Sequence, residues 1–320
     1  MNNVNILSKK QLSLFGFKND FDFFVSLYNE KKLPNTIIIS GTEGLGKSTF
    51  AYHFINFILS KNETYPYDAK NLTINELNKS YKLVKNNIHP NFFLVDMLKG
   101  KKIIDINQIR KMISYTYTTS FNLNKKIVLI DHVEYLNTSS SNSLLKVIEE
   151  PNENTLFILI FNSNKKIRNT LKSRSIEFKK SFSYIDRINI FKKLLNYNAI
   201  NFSVNLINKN LNYYQTPGLF IKHISLMNLL NLNINESLNI QKIIFELLKL
   251  KTKNLDLNKF ELLKYYIEID LYNKYLVSRN KNLIYSIYLN ILKKINMFSF
   301  YNLDSNILLC EIENLYLNAK

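Results

Sequence analysis

Thr36-Ile37-Ile38-Ile39-Ser40-Gly41-Thr42-Glu43-Gly44-Leu45-Gly46-Lys47-Ser48-Thr49 decides the fold. Its first part, Thr36–Ser40, is a short continuous apolar run of the kind that forms a strand covered on both faces. Its second part, Gly41 to Ser48, satisfies the pattern G-x-x-x-x-G-K-[ST] in full, and Ser48–Leu59 reads as the helix that follows. Strand, glycine-rich loop and helix in that order make a phosphate cradle. Gly41, Gly44 and Gly46 let backbone N–H groups turn toward phosphate oxygens, and the helix N-terminus adds its positive end. Lys47 reaches the β and γ oxygens, the Ser48 hydroxyl ligates Mg²⁺, and Thr49 stands beside it in the first helical turn. ATP with Mg²⁺ is therefore the expected ligand.

Further short apolar runs at Phe92–Val95, Ile127–Ile130 and Leu156–Phe161 alternate with helical patterns, which predicts a parallel sheet. Ile127–Ile130 ends in Asp131, a carboxylate delivered to the same edge of the sheet as the loop and suited to hold Mg²⁺ through water. His132 follows where a hydrolysing P-loop enzyme of the assembly type usually has the glutamate that orients water. The next carboxylate, Glu134, is three residues from Asp131, an offset that counts against it as a base. A neutral His132 is the chemical alternative.

All six glycines and all five prolines lie at or before Gly218. The remainder lacks the strongest helix breakers, and Leu238–Leu250 and Phe260–Val277 carry apolar residues at helical spacing. The predicted organisation is a nucleotide-binding α/β domain over 1–175, a small helical lid over 176–231 and an all-helical domain over 232–320.

Composition narrows the class. The chain has 320 residues, 46% of them hydrophobic, enough for substantial cores. One cysteine excludes a disulfide framework. No apolar run is long enough to span a bilayer, so no membrane partner is expected, and the single cysteine makes a reducing cytoplasm the expected compartment. A formal net charge of +18 favours a polyanionic partner, although an Asn- and Lys-rich composition accounts for part of that excess.

Beyond the loop and the Asp131 strand, the stretches Leu33–Thr36, His89–Asn91, Ile106–Arg110 and Asn142–Pro151 resemble segments of the bacterial DNA polymerase III clamp loaders, a family of AAA+ assembly ATPases. Leu33-Pro34-Asn35-Thr36 is similar to the family's LPHA approach to the loop, and His89-Pro90-Asn91 to its HPD element. Ile106-Asn107-Gln108-Ile109-Arg110 resembles the segment that starts a helix before the Asp131 strand. Asn142-Ser143-Leu144-Leu145-Lys146-Val147-Ile148-Glu149-Glu150-Pro151 is close to NALLKxLEEP. The resemblance implies a sensor role for Asn162, which feels the γ-phosphate or the attacking water. It also implies that Arg174, within Ser173-Arg174-Ser175, is the finger that enters a neighbouring subunit's ATP site; the family has Cys where this chain has Ser175.

Departures point to the delta-prime branch rather than the gamma-type motor. His132 replaces the usual base, and no arginine follows Thr216-Pro217-Gly218-Leu219, the counterpart of the family's S-P-G turn. Ser60–Asn87 contains no cysteine for the four-cysteine zinc module of many relatives, so zinc is not expected. The implied partners are gamma/tau and delta subunits, the sliding clamp, and primed DNA through its backbone. The expected hydrolytic activity of the chain itself is weak or absent. The alternatives are a gamma-type motor, which predicts DNA-stimulated hydrolysis, and an autonomous P-loop nucleotide kinase.

Overall fold

Every residue of β1, Thr36–Gly41, is buried, and alternate side chains serve two different cores. In the computed structural model Ile37 and Ile39 join one apolar cluster and Ile38 the other. The same division holds in β3, Lys126–Ile130, where Ile127 and Leu129 face one way and Val128 and Ile130 the other. It recurs in β4, Thr155–Asn162. Continuous apolar runs are thus two-sided strands, as helices on both faces of a parallel sheet require.

The structure describes residues 7–98, 101, 103–121, 125–151, 154–198, 216–222, 240–249, 257–301 and 305–318. With β2, Phe92–Val95, and β5, Ile176–Lys179, the sheet runs in the order β2-β3-β4-β1-β5, all pairs parallel. The four strands read from the sequence are present. The fifth was not read: Ile-Glu-Phe-Lys lies largely exposed at an edge, where one apolar residue, Phe178, packs inward. Of the segment predicted to be a lid, residues 199–215 and 223–231 lie outside the described residues.

Helices α1, Lys18–Asn29, and α2, Lys47–Leu59, cover one face. Their contact is aromatic: Phe21, Phe24, Phe50 and Phe54 meet mainly edge to face at 5.0–6.2 Å between ring centres, the arrangement favoured by ring quadrupoles. A short α3, Lys79–Lys85, is capped by the Asn78 side chain. On the opposite face lie α4, Ile106–Tyr117, opened by an Asp105/Gln108 capping box, and α5, Thr138–Glu149, capped by Asn137. Leu144 and Ile148 form the buried stripe of α5, and Pro151 prevents its continuation. The one-turn α6, Asn169–Lys172, and α7, Tyr184–Tyr197, complete this part.

His53 on α2 is wholly buried, with Nε2 3.0 Å from the Gln11 carbonyl and Nδ1 2.9 Å from the Tyr67 hydroxyl. A carbonyl only accepts, so Nε2 carries the proton and Nδ1 accepts from Tyr67. Burial pushes the ring down to about 4. Between the ordinary histidine range and that value the unfolded chain binds the proton and the folded chain does not. Stability therefore falls as pH drops from about 6.5 to about 4, by a limit of about 3 kcal/mol from this group. Denaturation midpoints across that window should show the loss, and His53→Gln should flatten it.

The chain divides into two units, with the sheet and 216–222 in the first and the later helices in the second. The second contains α8, Ile240–Lys249, α9, Leu257–Val277, α10, Lys281–Tyr301, and α11, Ser305–Leu317. Ile244, Leu247, Leu263, Ile267, Ile291 and Ile312 build its core. Asp270 is buried there, accepts from the Tyr316 hydroxyl at 2.6 Å and pairs with Lys274 at 3.0 Å. The predicted α/β-then-α architecture is what the chain adopts. Among the described residues no helix is long and apolar enough to cross a membrane.

Candidate nucleotide site

Parallel pairing brings the carboxyl ends of β1, β3 and β4 to one edge of the sheet, the usual location of a ligand site in such folds. Gly41 is in register with Asn162, and Asp131 follows directly on β3, its N–H donating to the Val95 carbonyl at 2.9 Å. Gly44 and Gly46 both have positive φ, 77° and 92°. At Gly44 space also matters, because a Cβ would stand 2.1 Å from the Thr216 hydroxyl and 2.7 Å from the Leu219 amide.

Lys47 is buried at the start of α2. Its ammonium donates to the carbonyls of Gly41 at 2.8 Å and Thr42 at 2.7 Å. Burial lowers its pKa, while Asp131, Glu134 and Glu43 oppose that shift. Ser48 and Thr49 are half-buried in the first turn. Asp131 is buried and accepts from the His132 N–H at 3.0 Å. The loop, Lys47, Ser48, Thr49, Asp131 and Asn162 thus come from three strand ends to one edge. The donor set fits a magnesium-bound polyphosphate: a buried cation and a hydroxyl on a glycine loop, with a carboxylate opposite.

Glu134 departs from its predicted place. His132 takes a left-handed conformation, φ 62° and ψ 51°, and Val133–Tyr135 form a short 3-10 turn. Together they turn the chain back over the sheet edge. The Glu134 carboxylate, 2% exposed, accepts from the Asn162 N–H at 3.3 Å and lies 3.6 Å from His132 Nδ1. The sequence offset therefore does not carry Glu134 away from the site. His132 is a cation instead of a base: its contact with Glu134 first, then the field of Asp131 and Asp96, raise it to about 9 against the opposing effect of burial.

Sequence reasoning also passed over Asp96, whose pKa is raised by burial and by Asp131. It ends β2 as Asp131 ends β3, so the same signal was available. Thr216-Pro217-Gly218, expected to form a turn, instead opens a helical segment over 217–222, as proline at the start of a helix allows, and it meets the loop directly. The Thr216 hydroxyl donates to the Glu43 carbonyl at 2.6 Å, the Gly218 N–H to the Gly44 carbonyl at 2.8 Å, and Lys222 pairs with Glu43 at 3.0 Å.

Arg174 is not part of this convergence. It stands on the turn after α6, its Nε 2.5 Å from Glu149 and its Nη1 donating to the Thr170 carbonyl at 3.2 Å. Its side chain is 39% exposed. Among the described residues no group of three or more His, Cys, Asp or Glu side chains is placed to hold a metal ion by itself.

The family model described as DNA polymerase III, delta subunit, matches residues 18–181, just over half of the chain. The chain belongs to this family. Over 140 residues it is 27% identical to DNA polymerase III subunit delta' of Pseudomonas aeruginosa, covering 44% of this chain and 41% of that protein. Over 172 residues it is 31% identical to DNA polymerase III subunit gamma of Buchnera aphidicola subsp. Schizaphis graminum, covering 53% and 45%. The matches thus span less than half the length of these curated relatives. A solved DNA polymerase III gamma subunit-related protein from Thermotoga maritima aligns over 93% of this chain and 99% of its own, with 14% identity and a TM-score of 0.47.

Proposed function

We propose that the chain is a delta-prime-type clamp-loader subunit, which joins gamma/tau and delta subunits to place the sliding clamp on primed DNA. The observation that carries this reading is Arg174, presented at the surface on a Ser-Arg-Ser turn and restrained by one half-exposed carboxylate and one exposed backbone carbonyl. Such an ion pair contributes at most about 1 kcal/mol, so the guanidinium is readily surrendered to a neighbouring subunit's triphosphate. Relatives named delta' and gamma support the assignment.

In this reading Gly41, Gly44, Gly46, Lys47, Ser48 and Thr49 cradle ATP, Ser48 and Asp131 hold Mg²⁺, and Asn162 senses the terminal phosphate. Bound Mg²⁺ neutralises charge on the phosphates. The predicted boundary at 176 shifts, because Ile176–Lys179 belong to the sheet as β5; the segment after β5, to 231, serves as the lid, and 232–320 as the helical collar that joins the ring. An imidazolium at position 132 cannot take a proton from water, which keeps the chain's own turnover low. The position of Glu134 favours a second reading, a gamma-type motor with its carboxylate displaced along the chain.

Co-elution with gamma-type and delta subunits tests the proposal. One complex, with slow ATP turnover by the isolated chain on primed DNA, is expected. Separate elution would overturn it, and brisk turnover by the isolated chain would select the motor.

A further inference from the structure

Beside the nucleotide edge, a pocket of about 580 Å³ opens between the end of β4, the loop that follows it, α6 and the edge strand β5. Its wall carries five cations, Lys165, Lys166, Arg168, Lys172 and Lys179, against one carboxylate, Glu177. Lys172 lies 3.6 Å from Glu177, and Arg168 donates to the Asn142 side chain at 2.9 Å. Among the described residues Lys165, Lys166 and Lys179 have no side-chain hydrogen bond or ion pair. Like charges gathered in a concavity repel one another, and the walls focus their field, so the arrangement is relieved by an anion.

The lining also says what kind of anion. Phe161 is buried, and the Lys172 ammonium lies over its ring at 5.3 Å from the centroid. No open aromatic face is left among these residues on which a base would stack, as single-strand platforms require. Four of the five cations are lysines, compact charges that meet phosphates without reading base edges. The cations also come from separate segments, the loop, α6 and β5, which suits a row of phosphates better than a single group.

We propose that this pocket seats consecutive phosphates of a DNA backbone. The proposal rests on the clamp-loader reading for its choice of DNA, and gives that reading a definite contact surface. It also places the contact beside the nucleotide: the Ser163 N–H, at the start of the cationic loop, donates to the Gly41 carbonyl at 3.0 Å.

The test compares the intact chain with its K165A/K166A/K179A variant, using short fluorescein-labelled DNA and anisotropy over a salt series. Circular dichroism verifies that the variant is folded, as expected for three exposed side chains. The variant should bind DNA at least about tenfold more weakly at low salt, and its plot of log affinity against log salt should be shallower by about 2 for single strands. Unchanged affinity and slope would overturn the proposal. So would full displacement of DNA from the wild-type chain by inorganic tripolyphosphate at matched phosphate concentration, which would make the pocket a small-polyphosphate site. Both proteins are also tested for co-elution with gamma-type and delta subunits. Weakened DNA binding without co-elution of either protein sinks the clamp-loader reading and leaves the pocket, whereas co-elution with unchanged DNA binding does the reverse.

Discussion

On the proposed trans-acting role, Arg174→Ala is expected to slow hydrolysis at a neighbouring subunit's site by about 10³-fold or more, the range for a trans-acting arginine in phosphoryl transfer. The reason is geometric as well as electrostatic. A planar fork placed against the transferring phosphate stabilises charge that develops there, and its removal leaves that charge to water. The fold should be indifferent, because the side chain is 39% exposed and its partner Glu149 is 43% exposed, a pairing worth at most about 1 kcal/mol. The measurement is the pre-steady-state burst of ATP hydrolysis by the reconstituted loader with clamp and primed DNA. Its amplitude should lose the share of that single site, and clamp release should stall. Arg174→Lys separates charge from shape and should recover little, since an ammonium lacks the fork. A full burst from the alanine variant would remove Arg174 from the mechanism.

The second large effect is on the support of the site. Phe54→Ala should destabilise the α/β unit by about 3–5 kcal/mol, the usual range for deleting a buried ring. Phe54 has no exposed surface, and its ring contacts Phe21 at 6.2 Å, Phe24 at 5.3 Å and Tyr28 at 6.3 Å between centroids. It also holds α2 against α1, and α2 presents Lys47 and Ser48 at its first turn. Loosening that helix should weaken ATP binding as well. Urea unfolding followed by circular dichroism gives the stability loss. Phe57→Ala, on the less buried side of the same helix, is the comparison and should cost less. Equal losses would show that the Phe54 cluster does not centre this core.

What was legible in the sequence is what short-range chemistry dictates. Four strands could be read because two-sided burial demands continuous apolar runs. The phosphate loop could be read because its glycines, Lys47 and Ser48 are needed within one turn and its approaches. Asp131 followed from its strand, since parallel strands of one sheet end at one edge, whereas Asn162 was singled out by the family resemblance. β5 escaped because an exposed edge strand of four residues needs only one apolar side chain, Phe178, and so carries almost no pattern.

Glu134 and Thr216 were decided by tertiary structure alone. A left-handed residue at His132 reverses the chain and returns Glu134 to Asn162, a turn that a spacing argument along an extended strand does not foresee. Thr216 reaches the Glu43 carbonyl across 173 positions of sequence, and no local pattern encodes such a partner. Periodicity and motifs record each residue's relation to its neighbours in the chain. The surroundings of Glu134, the contacts of the loop with 216–222 and the gathering of lysines around one pocket arise only when distant segments are folded together, because burial and electric fields depend on distance in space.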